Sequence, residues 1–268
     1  MNQDRDWRTT FRPDIPSGAR VYDCLLGGKD NYPADREVAR QLMAKLPNLR
    51  TAVQWNRDYL RRVVNYLVCD AKITQIIDIG AGLPTVGNTH EVAQEAAPGT
   101  RVVYVDHDPI VLAHARDMLN HVQDVAVIEQ EFSCPDKILA DPAVIKLIDF
   151  GQPVGIMLLS ILHFIPDSAD PAGCIAQLLD AFPSGSHVAI SHATGDAIPA
   201  VTDVERVFDK ATEQGRVRTR VEVRDLVDGL DLVPPGLVWL PEWRPDPGTV
   251  MPENVTESYY CAVVARKP

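Results

Sequence analysis

The stretch IIDIGAGLPT (76–85) decides how this chain is read. Residues 76–79 are apolar apart from one acid, Asp78, and the run then gives way to Gly80 and Gly82. A short apolar run bounded by turn residues forms a strand buried on both faces. Glycines beyond it let the backbone turn sharply and pass close to a ligand. In an open α/β sheet that point is the carboxyl edge of the first strand, where ligands bind. A tight strand-to-helix turn without a ligand fits the same residues. The dinucleotide fingerprint would want a third glycine where Thr85 follows Pro84, which weakens the case for a cradled pyrophosphate.

Downstream the pattern repeats. RVVYVD (101–106), VAVIEQ (125–130), PVGIMLLS (153–160) and HVAISH (187–192) alternate with helical stretches at about 109–120 and 171–182. That alternation predicts a mostly parallel sheet with helices on both faces. LVPPGLVWL (232–240) and YYCAVVARK (259–267) have no long helix between them and predict an antiparallel pair at the end of the sheet. Upstream the grammar is helical. Val53, Asn56, Leu60, Val63, Val64 and Leu67 recur mostly at three and four and mark one buried face. LLGGKDNYPAD (25–35) interrupts this region as a loop between helices. Three parts follow: a mobile arm at 1–19, a helical cap at 20–70, and an α/β domain at 71–268.

Composition narrows the function. With 268 residues, 46% hydrophobic and 24% charged, the chain is neither disordered nor fibrous. No uncharged apolar run approaches about 18 residues, so no membrane span is expected. The segment MNQDRDWRTTFRPD lacks the apolar stretch of a secretory signal. Five cysteines far apart, with no C-x-x-C, predict reduced thiols in a cytoplasm. The net charge of −11 is uneven: residues 1–70 carry +3 and residues 71–268 carry −14. An acidic body repels a phosphate backbone, so nucleic acid is not the expected partner and a small molecule is.

Candidate site residues stand where the strands end. Asp106 closes the second apolar run, placed to accept hydrogen bonds from both hydroxyls of an adenosine ribose and to repel a 2′-phosphate, which disfavours NADP. Asp108 suits the N-cap of a helix that starts at Pro109. His107 either meets an adenine or is a half-exposed loop histidine. Glu131 could reach an adenine amine, and Phe132 either covers the base or packs in the core. LLSILHFIPD (158–167) delivers Ser160 and His163 to the fourth strand end, His163 being either a base or a structural histidine. His107, His114 and His121 are seven apart and read as a solvated helix flank rather than metal ligands. His192 reads as a satisfied strand-end histidine. Neither a G-x-S-x-G elbow nor a P-loop occurs.

IDIGAGLPT, YVDHDP and LLSILHF together resemble the successive motifs of class I S-adenosylmethionine-dependent methyltransferases. More narrowly, the chain resembles an actinobacterial S-adenosyl methyltransferase group, formerly a domain of unknown function. ARVYDCLLGGKDNYPADRE (19–37), GLPTVGNTHEVAQ (82–94) and DGLDLVPPGLV (228–238) extend the likeness outside the cofactor core. The resemblance implies a Rossmann-like fold with a seven-stranded sheet, an antiparallel last strand, and an N-terminal helical cap. It implies S-adenosyl-L-methionine as cofactor and a small-molecule acceptor. Gly80, Gly82, Leu83 and Pro84 would lie against the methionine part of the cofactor, and Asp78 would hold its amino group. Asp106 would take the ribose, and His107, Glu131 and Phe132 would surround the adenine. Ser160 and His163 would line the floor, while Tyr22, Gly28 and Asn31 would form a lid over the acceptor. His163 and Tyr22 are the candidate bases. Glu131 stands where the group has a shorter Asp, and Ala81 where it more often has Thr. Two other readings fit the same residues: a non-catalytic sensor of the cofactor or its product, and an NAD-dependent oxidoreductase.

Overall fold

The computed structural model describes residues 12–85, 87–119, 121–198, 201–209, 211–212 and 214–268. Most of the expected arm at 1–19 lies outside these residues. The chain is described from Arg12, and Ser17 already caps α1 (Gly18–Leu26), its hydroxyl accepting from the Arg20 amide. Gly27 ends that helix at φ 83°, a conformation that costs glycine little. α2 (Pro33–Lys45) follows, and then α3 (Leu49–Asn65), with a π-helical turn at Tyr66–Asp70. A buried ion pair ties the first two helices, Arg20 to Asp35 at 3.1 Å. The second Asp35 oxygen accepts from the Tyr32 amide at 2.8 Å.

The α/β part runs β1 (Gln75–Ile79), α4 (Thr89–Ala96), β2 (Arg101–Asp106), α5 (Pro109–Leu119) and β3 (Val125–Glu129). It continues with α6 (Pro135–Leu139), α7 (Pro142–Leu147), β4 (Gly155–Leu159), α8 (Pro171–Asp180), β5 (His187–Ala193), α9 (Val201–Glu205) and α10 (Arg220–Asp225). It closes with β6 (Asp231–Leu232), β7 (Val238–Trp239) and β8 (Tyr260–Arg266). The sheet order is β3-β2-β1-β4-β5-β8-β6, with β7 also on β8. Strands β1 to β5 pair in parallel, and β8 is antiparallel to β5, β6 and β7. Among the described residues the sheet therefore has eight strands where seven were expected. Pro234 and Pro235 bring no amide donors, so the apolar run 232–240 enters the sheet as two short pieces instead of one strand.

Every residue of β1, β4 and β5 is buried, as the unbroken apolar runs require of strands covered on both faces. Successive side chains alternate between two cores. Ile76, Val102, Tyr104, Met157, Ala189, Ala262 and Val264 face α1 to α4. Ile77, Ile79, Val103, Val105, Ile156, Leu158 and Val263 face α6, α7, α8 and α10. The α3 stripe read from sequence is buried throughout, Val53, Val63, Val64 and Leu67 completely. Tyr59 of α3 donates toward the carbonyls of Ile190 (3.3 Å) and Val263 (3.2 Å), and Arg62 donates to those of Trp243 (2.9 Å) and Leu240 (3.0 Å). Packing is thus continuous across residue 70, where the charge balance changes. Among the described residues no helix is long and apolar enough to cross a membrane.

Candidate functional site

A cavity of about 570 Å³ opens at the carboxyl edge of the parallel strands, within the usual size of small-molecule sites, about 300–1,000 Å³. The sheet order reverses between β1 and β4, so their loops diverge and leave a crevice there. Its strand-edge wall includes Asp78, Gly80, Gly82, Leu83, Asp106 and His107, continued by Glu131, Phe132, Ser160 and His163. Helices α1 and α3 add Tyr22, Asn56 and Arg57 to the lining.

The turn after β1 is fixed by its neighbours. The Gly80 amide donates to the Val105 carbonyl at 2.8 Å. Gly80 holds φ 71°, and the space where a Cβ would stand is taken by Ile161, 2.1 Å away. Gly82 holds φ 67° with no atom within 4 Å of that position, so its backbone faces open space. The chain then turns through Thr85, whose amide donates to Asn88 Oδ1 at 2.9 Å, and α4 begins only at Thr89. No helix starts directly at the glycine turn, which removes the phosphate cradle of the dinucleotide folds.

Two buried carboxylates mark the wall. Asp78 accepts from the Thr89 hydroxyl at 2.6 Å. Burial pushes its carboxyl up to about 6, against the pull of Thr89 and of the Arg57 guanidinium. Asp106 accepts from three backbone amides: Gly82 on Oδ2 at 2.9 Å, and His107 and Asp108 on Oδ1 at 2.8 and 2.9 Å. Burial raises Asp106 while those amides hold it down. An ionised carboxylate has roughly four lone-pair sites, so Oδ2 keeps one for a ligand. Asp108 caps α5 as its position implied, with Oδ1 accepting from the Ile110 amide at 2.8 Å.

The remaining strand ends differ in character. His107 is half exposed and stands 3.9 Å from Asp106. Glu131 is exposed and accepts from Ser133 at 3.2 Å. Phe132 is buried, and it belongs both to the second core and to the cavity wall. Ser160 adopts φ 62°, a left-handed conformation uncommon off glycine, and its amide donates to the Ser191 carbonyl at 3.0 Å. His163 is buried, its Nδ1 has no partner among the described residues, and burial, with His192 and Arg218 nearby, holds it well below the ordinary histidine range. His192 is satisfied: Nδ1 faces the Ala193 carbonyl at 2.6 Å and Nε2 faces Arg218 at 3.3 Å. Burial takes it down to about 3.

Three expected residues are not in the wall. Pro84 lies outside it. Gly28 and Asn31 instead hold Asp23, which does line the cavity. Asn31 Nδ2 and the Asp30 amide donate to Asp23 Oδ2 at 2.8 and 3.0 Å, and a Cβ on Gly28 would stand 1.9 Å from Asp23 Oδ1. Tyr22 is in the wall, bonded to the Val53 carbonyl at 3.2 Å and to Asn56 Nδ2 at 2.9 Å. Burial raises its phenol. Sequence reasoning missed Arg57 and Tyr260 as wall residues. Asn56 did carry a signal, a lone amide inside the apolar stripe of α3.

The S-adenosyl methyltransferase family matches residues 6–268. A protein from Thermobifida fusca, described as a candidate methyltransferase, is 39% identical, with a TM-score of 0.89 over 95% of this chain and 96% of its own. A DUF574 family protein from Streptomyces avermitilis is 38% identical, with a TM-score of 0.91 over 96% of this chain and 100% of its own. An O-methyltransferase family protein from Burkholderia thailandensis shares the fold at 16% identity and a TM-score of 0.53, over 92% of this chain and 70% of its own. No curated protein matches the chain.

Proposed function

The chain belongs to the S-adenosyl methyltransferase family, and from that premise we propose that it is an enzyme that methylates a small molecule held in the cavity. The observation that carries this reading is the pair of buried carboxylates, Asp78 and Asp106, either side of the open turn at Gly82. Their chemistry suits the cofactor of the family: one acid for an amino group, one for vicinal hydroxyls, and a negative wall for a sulfonium. S-adenosylmethionine, when bound, supplies an activated methyl group that leaves with the carbon–sulfur electron pair retained by sulfur, while an acceptor proton is released.

The chain's own residues do the rest. Asp78, when ionised, takes the amino group, and Arg57 beside it favours that ionised form. Asp106 offers its remaining Oδ2 site to a ribose hydroxyl while the Gly82 amide fixes its plane. Phe132 and His107 bracket the place for an adenine, and Ser160 and His163 form the floor. Tyr22, with Asn56 behind it, closes the cavity from α1, so the region 20–70 acts as a cap, with Gly28 and Asn31 serving through Asp23. Neither candidate base is poised near neutral pH: His163 is held low and Tyr22 high. Efficient proton transfer wants a group near the working pH, so positioning of the acceptor at about 3–3.5 Å carries the rate.

Calorimetry with S-adenosylmethionine, S-adenosylhomocysteine and NAD tests the cofactor. The sulfur compounds are expected to bind and NAD is not. The reverse result overturns the proposal. A screen of metabolite extracts for transfer of labelled methyl separates an enzyme from a binding protein.

A further inference from the structure

The cavity has a second half, away from the strand edge, and its chemistry differs. One wall is a run of rings. Phe208 meets Phe164 at 5.2 Å between centroids, Phe164 meets His163 at 4.4 Å, and His163 meets Tyr260 at 5.9 Å. Facing it are the aliphatic side chains of Leu42, Leu46 and Leu49.

Three of the polar groups here are neutral. Burial holds His163 low and raises Tyr22 and Tyr260, so all three are uncharged at neutral pH. Two carboxylates reach this end, and the groups donating to them are neutral. Asp23 takes Asn31 and the Asp30 amide, and Glu205 accepts from the Val217 amide at 2.7 Å. The hydroxyl of Tyr22 is also committed on both sides.

Among the described residues four buried atoms of the cavity lining have no partner: Asn56 Oδ1, Thr85 Oγ1, Ser160 Oγ and His163 Nδ1. Of these residues Asn56 and His163 are over nine-tenths buried, at 4% and 8% exposure. An unsatisfied buried polar atom costs about 1–3 kcal/mol, so a ligand that donates a hydrogen bond to Asn56 Oδ1 recovers what the empty cavity forgoes. A carboxylate ligand would instead meet Asp23 and Glu205. A flat ring fits the aromatic wall by edge and offset contacts.

We infer that this half of the cavity takes a hydroxyl-bearing aromatic molecule that carries no negative charge as the methyl acceptor, its hydroxyl donating to Asn56 Oδ1. The inference rests on the methyltransferase reading above.

The test uses the full chain saturated with S-adenosylhomocysteine and titrated with 2-naphthol and 2-naphthoate by calorimetry. Naphthol is expected to bind roughly tenfold or more tighter than naphthoate. Asn56→Leu is expected to weaken naphthol roughly tenfold and to leave S-adenosylhomocysteine within about twofold. Phe208→Ala, at the edge of the ring wall, is expected to weaken naphthol several-fold and serves if Asn56→Leu does not fold. Naphthol failing to bind the saturated protein overturns the inference. So does naphthoate binding as tightly, or a naphthol affinity unmoved in the variants that fold. Failure of S-adenosylhomocysteine itself to bind overturns the cofactor reading instead, and is seen before any naphthyl compound is added.

Discussion

At the scale of single residues, Asp78 and Asp106 look alike in sequence, each an acid at the end of an apolar run, yet the structure gives them opposite duties. Asp106 is held by three amides and is built into the turn. Asp106→Asn puts an amide donor against donors, and is expected to weaken S-adenosylhomocysteine about tenfold or more by calorimetry and to cost about 1–3 kcal/mol in urea unfolding. Asp78 has one hydroxyl partner and a carboxyl raised from 3.8 to about 6 by burial. A raised acid favours the folded state only while protonated. Its contribution is therefore complete below about pH 4, falls as pH rises through the window from about 4 to about 6, and is lost above it. Asp78→Asn is expected to raise the urea midpoint of the ligand-free protein at pH 7 and to weaken S-adenosylmethionine. In the unmutated protein, cofactor affinity is expected to drop as pH falls through about 6. A cofactor affinity independent of pH between 5 and 8 would remove Asp78 from the amine site.

At the scale of elements, the strand ends depend on groups far away in the chain. Arg218, only 2% exposed, donates to the carbonyls of Leu162 (2.7 Å) and Ile165 (2.8 Å) and pairs with Asp167 at 2.6 Å. It pins the loop that carries His163. Arg218→Met leaves the Ile165 carbonyl without its donor and takes one of two donors from the Leu162 carbonyl, at about 1–3 kcal/mol, and is expected to lower both the unfolding midpoint and cofactor affinity. Gly28→Ala forces Asp23 to turn away from Asn31, with an expected loss of about 1–3 kcal/mol in the same measurement. These dependencies explain what could be read in advance. Strands β1, β2, β4 and β5 were legible because parallel strands buried on both faces are written as apolar runs, β3 kept an apolar run although it is a partly buried edge strand, and the Asp78, Asp106 and His163 positions follow from where those runs stop. Arg57 and Tyr260 were not legible, since packing alone brings α3 and the start of β8 to the cavity. The split of β6 from β7 was present in the sequence as Pro234 and Pro235, but the run around them reads as a single strand.

At the scale of the molecule, composition and packing draw different boundaries. Charge changes sign near residue 70, while α3 and the sheet share one core, joined by the Tyr59 and Arg62 hydrogen bonds. A chain cut to begin at residue 71 is therefore expected to be insoluble or unfolded by circular dichroism. One cut to begin at residue 47, which keeps α3, is expected to retain the sheet and lose ligand affinity. A well-folded, cofactor-binding 71–268 fragment would show that the cap is a separate unit after all. The register of β8 has a further consequence. It pairs with β5 from His187↔Arg266 to Ala193↔Tyr260 and with β6 and β7 on its other side, so it is an interior strand that arrives late in the chain. During synthesis β5 has an open hydrogen-bonding edge until residues 260–266 leave the ribosome, and such an edge can capture strands from other nascent chains. Yield of native protein should thus depend on translation speed and chaperone supply more than the finished molecule's stability would indicate.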